Sequence, residues 1–313
     1  MDPIAWLAFA GLIGLFLALD LGVLHREAHV VPPREALRWT ALWVGLAGAF
    51  GLFVGWWRGG EASLTWFTGY LIEYSLSVDN VFVFALVFGA FAVPPRFQHR
   101  VLFWGVLGAL AMRLVLIVLG ASLVARYDWI LLLFGAFLVV TGLRMARGGD
   151  EPGDPEANPT VRFARRHLRA TSELHGQRFI VATAAGRRAT PLLLALIALE
   201  ASDLIFAADS IPAIFGLTTD PFIVFTSNAF AILGLRSLYF LLADARERFR
   251  YLPLGLAAVL IFVGVKMLLG GLVHISPLAS LMVIAVILGL AVGASLRRDG
   301  RHGREGRPLG EPR

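Results

Sequence analysis

Cysteine is absent from this chain. That excludes disulfides, thiol redox chemistry and thiolate metal ligands. Lysine is nearly absent too, with Lys266 the single example. Charged residues are scarce, 16% against 58% hydrophobic, and the mean hydropathy is +0.73. Such a balance excludes an ordinary soluble domain and places the chain in the membrane class. The seven histidines, at 25, 29, 99, 167, 175, 274 and 302, are all expected in loops or the tail. Without an imidazole inside the membrane, Zn²⁺ and copper sites are disfavoured. An intramembrane hydrolase would also lack a histidine base, and no nucleophile motif is present. No enzymatic activity and no resident cofactor are expected.

What the chain has in quantity is apolar sequence. Runs fall near 3–24, 37–57, 66–92, 101–124, 129–146, 192–215, 221–243, 252–273 and 277–296. A bilayer span needs about 20 residues, so these predict an all-α polytopic membrane protein of about nine helices. The first run has no basic residue before it and no small-residue cleavage site, so it reads as a span rather than a removed signal. Arginine placement predicts the N-terminus outside and the C-terminus in the cytoplasm. Arg96, Arg100, Arg165, Arg166, Arg246, Arg248, Arg297 and Arg298 then lie inside, and only Arg58 and Arg126 lie in outer loops. The net charge of +6 is directed at lipid headgroups rather than nucleic acid.

Two runs carry acids. Leu199 to Ala213 reads LEASDLIFAADSIPA and contains Glu200, Asp203 and Asp209. Leu71 to Phe84 reads LIEYSLSVDNVFVF and contains Glu73, Asp79 and Asn80. An ionised group at mid-membrane costs about 2.5–3.5 kcal/mol on insertion scales, so these side chains must face a protein interior that compensates them. The two runs echo each other. Glu73 and Asp79 are six apart and followed by Asn80; Asp203 and Asp209 are six apart and followed by Ser210. Seven residues nearly close two turns, so Glu73 shares a face with Asn80, and Asp203 with Ser210. Pro212 cannot donate to residue 208, and a helix broken there would free the Ala208 carbonyl as a further ligand.

An internal repeat is also legible. GLRMARGG at 142–149 matches GVKMLLGG at 264–271, and GALAMR ending at Arg113 matches AILGLR ending at Arg236. The chain then divides into two N-terminal helices (1–57), a first three-helix unit (66–146), a cytoplasmic loop (147–191), a second unit (192–273), a ninth helix (277–296) and a disordered basic tail (297–313). Three spans per unit is odd, so the two units must be inverted in the membrane, an arrangement typical of transporters. In the loop, GDEPGDPEANP reads as a linker. Residues 160–172 read as a basic surface helix, and 178–189 as a small hairpin turning near Gly186.

Arg113, Arg236 and Lys266 are the cations deep enough to pair with the five acids, and an internal salt-bridge network is the plain alternative to a ligand site. Five acids against three cations leave negative charge over. Arg113 and Arg236 are expected to tether acids. Asp20, before His25 and Arg26, is expected to form a helix-end pair or gate. Asn228 is expected to bond between helices. Ser77 and Ser210 are the hydroxyls best spaced to join the acids; Ser75 and Ser202 are expected to bond between helices. Oxygen ligands of this kind suit Mn²⁺, Mg²⁺ or Ca²⁺.

At these residues the sequence resembles the TerC/Alx family, within the lysine-exporter-like superfamily. The matching stretches are ALDLGVLHR at 18–26, EYSLSVDNVFVF at 73–84 and LEASDLIFAADSIPAIFGLTTDPFIVFTSNAFAILGLRSLYF at 199–240. The resemblance implies manganese efflux, with Glu73, Asp79, Asn80, Glu200, Asp203 and Asp209 as its acidic motif positions, and with proton coupling as an option. It equally allows a membrane biogenesis factor that metalates or assists exported proteins alongside the secretion machinery. The family name refers to tellurium resistance. Tellurite is an anion that an acid-lined site repels, so any such effect would be indirect.

Overall fold

A computed structural model describes residues 3–19, 32–127, 129–147, 161–162, 170–171, 174–183, 186–242, 251–270 and 275–305, with the side chains of 19, 79 and 296–305 outside the description. Among the described residues the chain forms helices α1 (Pro3–Leu19), α2 (Pro33–Arg58), α3 (Gly60–Ala90), α4 (Pro95–Arg126) and α5 (Trp129–Ala146). A short hairpin follows, β1 (Ile180–Thr183) and β2 (Gly186–Ala189). Then come α6 (Pro191–Phe215), α7 (Pro221–Leu242), α8 (Leu252–Leu268) and α9 (Pro277–Glu305). Seven of these helices are long and apolar enough to cross a membrane; α1 and α8 are shorter apolar helices.

The predicted spans and the observed helices coincide, but the ends differ for a physical reason. Helices α2, α3 and α4 each begin several residues before the apolar run. Their first turns carry Arg34 and Glu35, Glu61, and Arg96 and Gln98, which lower the hydropathy without stopping a helix. Proline opens α2, α4, α6, α7 and α9, where its missing N–H costs nothing and its fixed φ suits the first turn. His99 therefore lies inside α4, not in a loop, with its ring stacked near Phe240. The tail also differs from expectation. Helix α9 continues to Glu305, because its polar extension is interrupted only by glycines, which weaken a helix without ending it. His302 lies in that extension.

Helix α6 runs through Pro212 unbroken. Pro212 falls in its last turn, where little helix remains to be disrupted. Ala208 lies on the exposed face, roughly 140° around the helix from Asp203. The expected break and carbonyl ligand are therefore not formed.

Helix α7 is the centre of the bundle, with 94% of its span buried. It can be buried on every side because Thr226, Ser227, Asn228, Arg236 and Ser237 find partners among its neighbours or its own carbonyls. Helices α2, α3 and α4 pack on α7, and α6 packs on α3 and α4. At one end Trp66, Phe222 and Phe230 form an aromatic cluster with Phe9 and Trp43. Trp66 Nε1 donates to Thr226 Oγ1 at 3.0 Å. Beside it Arg58 pairs with Asp220 at 2.6 Å and lies over Trp57.

The closest seam joins α5 and α8. A Cβ on Gly264 would stand 2.6 Å from the Gly135 carbonyl oxygen, and one on Gly142 2.8 Å from the Ala257 carbonyl oxygen. Only glycine permits that approach. A shift of 122 residues, the spacing of GLRMARGG and GVKMLLGG, carries Gly142 onto Gly264 and Gly135 onto Ala257. The same shift thus exchanges the two crossing contacts. The hairpin expected at 178–189 is present, with Gly186 at φ +103°. Of the helix expected at 160–172, only residues 161–162 and 170–171 are described, and the linker 148–160 lies outside the description.

Candidate functional site

The polar residues of the apolar runs meet around one arginine. Arg113, on α4, is buried at 1% exposure. Its Nε and Nη2 donate to the two oxygens of Asp203 on α6, at 3.2 and 2.9 Å. This is the bidentate fork that makes guanidinium–carboxylate pairs strong. Its Nη1 donates to Glu73 on α3. The same nitrogen donates to Asn228 Oδ1 on α7 at 2.6 Å and contacts Ser210 Oγ on α6 at 3.3 Å. Four helices are tied together by one side chain.

Helical periodicity explains the convergence. Asp203 and Ser210 are seven residues apart and both buried, so they present one face of α6 to Arg113. Glu73 and Ser77 stand one turn apart on α3, both fully buried. Among the described residues, Glu73 Oε2 and Ser77 Oγ have no hydrogen-bond partner of good geometry, although Ser210 lies close enough to Glu73 to interact with its carboxylate. Buried polar atoms are rarely left so. Two carboxylates share one guanidinium, so the described cluster is formally one negative charge in excess.

The remaining predicted residues lie elsewhere. Asn80 is buried on α3, seven residues after Glu73. Glu200, half-buried on α6, does not reach Arg113; its carboxylate rests on Gly108 of α4, in the space a Cβ there would fill. Asp209 is half-buried further along α6. Arg236 is buried on α7 and lines a small cavity with Phe16, Trp43 and Phe103. The Asp79 side chain and all of Asp20 lie outside the described residues. Of the acidic-motif residues, Glu73 and Asp203 meet at Arg113, and among the described residues no three carboxylates or imidazoles converge. Ser202 and Ser75 bond the carbonyls of Ala198 and Leu71 in their own helices, not a neighbour. Lys266 donates to Ser280 Oγ at 2.9 Å rather than to an acid.

A small crevice adjoins the cluster. It is bounded by Phe84, Leu102, Gly105, Val106, Ala109, Leu199, Asp203, Ile232 and Leu235, and has room for about one water molecule in all. Its lining runs from Asp203 toward the ends of α3 and α7 and the starts of α4 and α6. All four lie at one end of the bundle. The opposite end is closed by the Trp66 aromatic cluster and the Arg58–Asp220 pair.

Sequence reading missed Gly108 and Thr226. The signal for Gly108 was the spacing of Gly105 and Gly108 in LFWGVLGALAMR, small residues that let another helix approach. Gly108→Ala should displace the Glu200 carboxylate, the movable end of a flexible side chain. Its effect on stability in detergent should be about 1 kcal/mol or less, read from a thermal melt.

Residues 58–302 match the integral membrane protein TerC family. The chain belongs to that family. Among curated TerC relatives, an uncharacterised membrane protein of Myxococcus xanthus is 52% identical over 301 residues, covering 96% of this chain and 94% of that protein. A protein of Escherichia coli (strain K12), provisionally named membrane-bound redox modulator Alx, is 46% identical over 295 residues, covering 91% of this chain and 92% of its own length. An uncharacterised membrane protein of Rickettsia bellii (strain RML369-C) is 37% identical over 294 residues, covering 94% and 97%. No solved structure matches this TerC chain.

Proposed function

We propose that this TerC family member exports divalent metal cations, Mn²⁺ foremost, by alternating access across a bacterial inner membrane. The observation that carries the reading is the buried cluster. Its carboxylates outnumber its one guanidinium, and among the described residues Glu73 Oε2 and Ser77 Oγ have no hydrogen-bond partner. Carboxylate, hydroxyl and amide oxygens suit Mn²⁺, Ca²⁺ or Mg²⁺. Intramembrane acids commonly mark ion pathways.

The exchanged contacts of α5 and α8 favour two inverted three-helix units. With the N-terminus outside, the crevice lies on the cytoplasmic side of the site and the aromatic cluster on the outer side. Glu200, one turn from Asp203 toward the cytoplasmic end, would meet an incoming cation first. The redox role named for the E. coli relative cannot be thiol-based here, because this chain has no cysteine.

Purified protein in proteoliposomes tests the reading. Wild type should move Mn²⁺, detected by an entrapped indicator, and should move Ca²⁺ and Mg²⁺ less. Glu73→Gln should reduce Mn²⁺ movement to the protein-free background while still inserting. A wild type that moves no Mn²⁺, with or without a pH gradient, sinks the proposal.

A further inference from the structure

Five oxygens converge on the Arg113 guanidinium: both of Asp203, one of Glu73, Asn228 Oδ1 and Ser210 Oγ. Glu73 Oε2 and Ser77 Oγ lie buried, without a hydrogen-bond partner among the described residues. A hard divalent cation takes six to eight oxygens. The donors such an ion needs are present, but the arginine occupies the space among them.

Long helical side chains lean toward the N-terminus, over the residue four positions earlier. For Arg113 that residue is Ala109, whose small side chain lines the crevice.

Resting on the divalent-cation reading above, we infer that Arg113 is a tethered competitor for the transported ion. It fills the carboxylate cage when the cage is empty, and the arriving ion displaces it from the shared oxygens. No covalent chemistry is involved. The exchange makes the buried acids tolerable in the empty carrier. It also weakens ion binding enough to permit release, as conduction requires. The apparent dissociation constant exceeds the intrinsic one by the inverse of the fraction of molecules with the cage open.

Equilibrium Mn²⁺ binding to purified wild type, Arg113→Met and Arg113→Lys, followed by the free-Mn²⁺ resonance signal, tests this. Arg113→Met should bind at least about 10-fold tighter, the reciprocal of an open fraction of one tenth or less. Mn²⁺ should raise its melting temperature more than that of wild type, and its vesicle transport should slow as release becomes limiting. Arg113→Lys should bind with intermediate affinity, because an ammonium lacks the bidentate fork. A merely structural arginine predicts the reverse, with weaker binding in both variants. Unchanged or weaker binding by Arg113→Met, where wild type binds, overturns the competitor role and leaves the transport reading standing. If Arg113→Met does not fold, Arg113→Lys decides: tighter than wild type supports the role, equal or weaker overturns it. Failure of wild type itself to bind or move Mn²⁺ removes both readings.

Discussion

Asp203→Asn is expected to abolish Mn²⁺ movement and to lower stability at the same time. The carboxylate accepts from two nitrogens of Arg113 through its two oxygens. An asparagine side chain offers one oxygen to that fork and turns an NH₂ group toward the other N–H. The guanidinium would keep Glu73, Asn228 and Ser210 but lose its strongest partner within a site it cannot leave for bulk water. Removing one member of a buried charge pair costs about 3–5 kcal/mol. A detergent melt should show the loss directly. Asp203→Glu keeps the charge and should fall between wild type and Asp203→Asn in both assays. A stable Asp203→Asn protein with normal Mn²⁺ transport would exclude the cluster as the site.

Gly264→Ala is expected to be among the most destabilising single substitutions away from that site. The added Cβ would face the Gly135 carbonyl oxygen at 2.6 Å, with Val139 Cγ2 at 2.9 Å and Val139 N at 3.0 Å. Two of these atoms are backbone within a helix and cannot swing aside, so α5 and α8 must separate along their shared seam. Overpacking typically costs about 1–3 kcal/mol, occasionally more, and the high end is expected here. Gly289→Ala on α9 is the control. Nothing lies within 4 Å of its added Cβ, and replacing a helical glycine should be neutral or gain up to about 1 kcal/mol. Melting curves of the two variants against wild type check the contrast. Equal stability would show that the seam opens freely.

The comparison of Glu73 with Asp203 shows what was readable in advance. Their matching six-residue distances to Asp79 and Asp209 marked them as counterparts from sequence alone, and in the fold both hold the same arginine. Hydropathy located each of the nine apolar helices among the described residues, because burial and bilayer thickness act on whole segments. It misjudged first turns because capping tolerates charge there. Rotation of a helix about its axis was less accessible. Glu200 and Asp203 differ by only about 60° around α6, yet one rests on Gly108 and the other grips Arg113. That separation depends on how closely α4 approaches, which glycine positions permit but do not dictate. Pro212 misled because proline disrupts a helix according to how much of it lies beyond, and here three residues remain.

The small size of the crevice bears on which ions pass. It has room for about one water molecule in all, far less than a metal with its full hydration sphere, so on the transport reading each cation sheds ligands before reaching Asp203. Magnesium dehydrates reluctantly and insists on near-ideal octahedral geometry, and it is held back at that threshold even where the oxygens beyond would accept it. On the proposed reading, discrimination is therefore imposed by the speed of stripping water at the mouth, and cytoplasmic Mg²⁺ is left behind without the protein having to bind Mn²⁺ tightly.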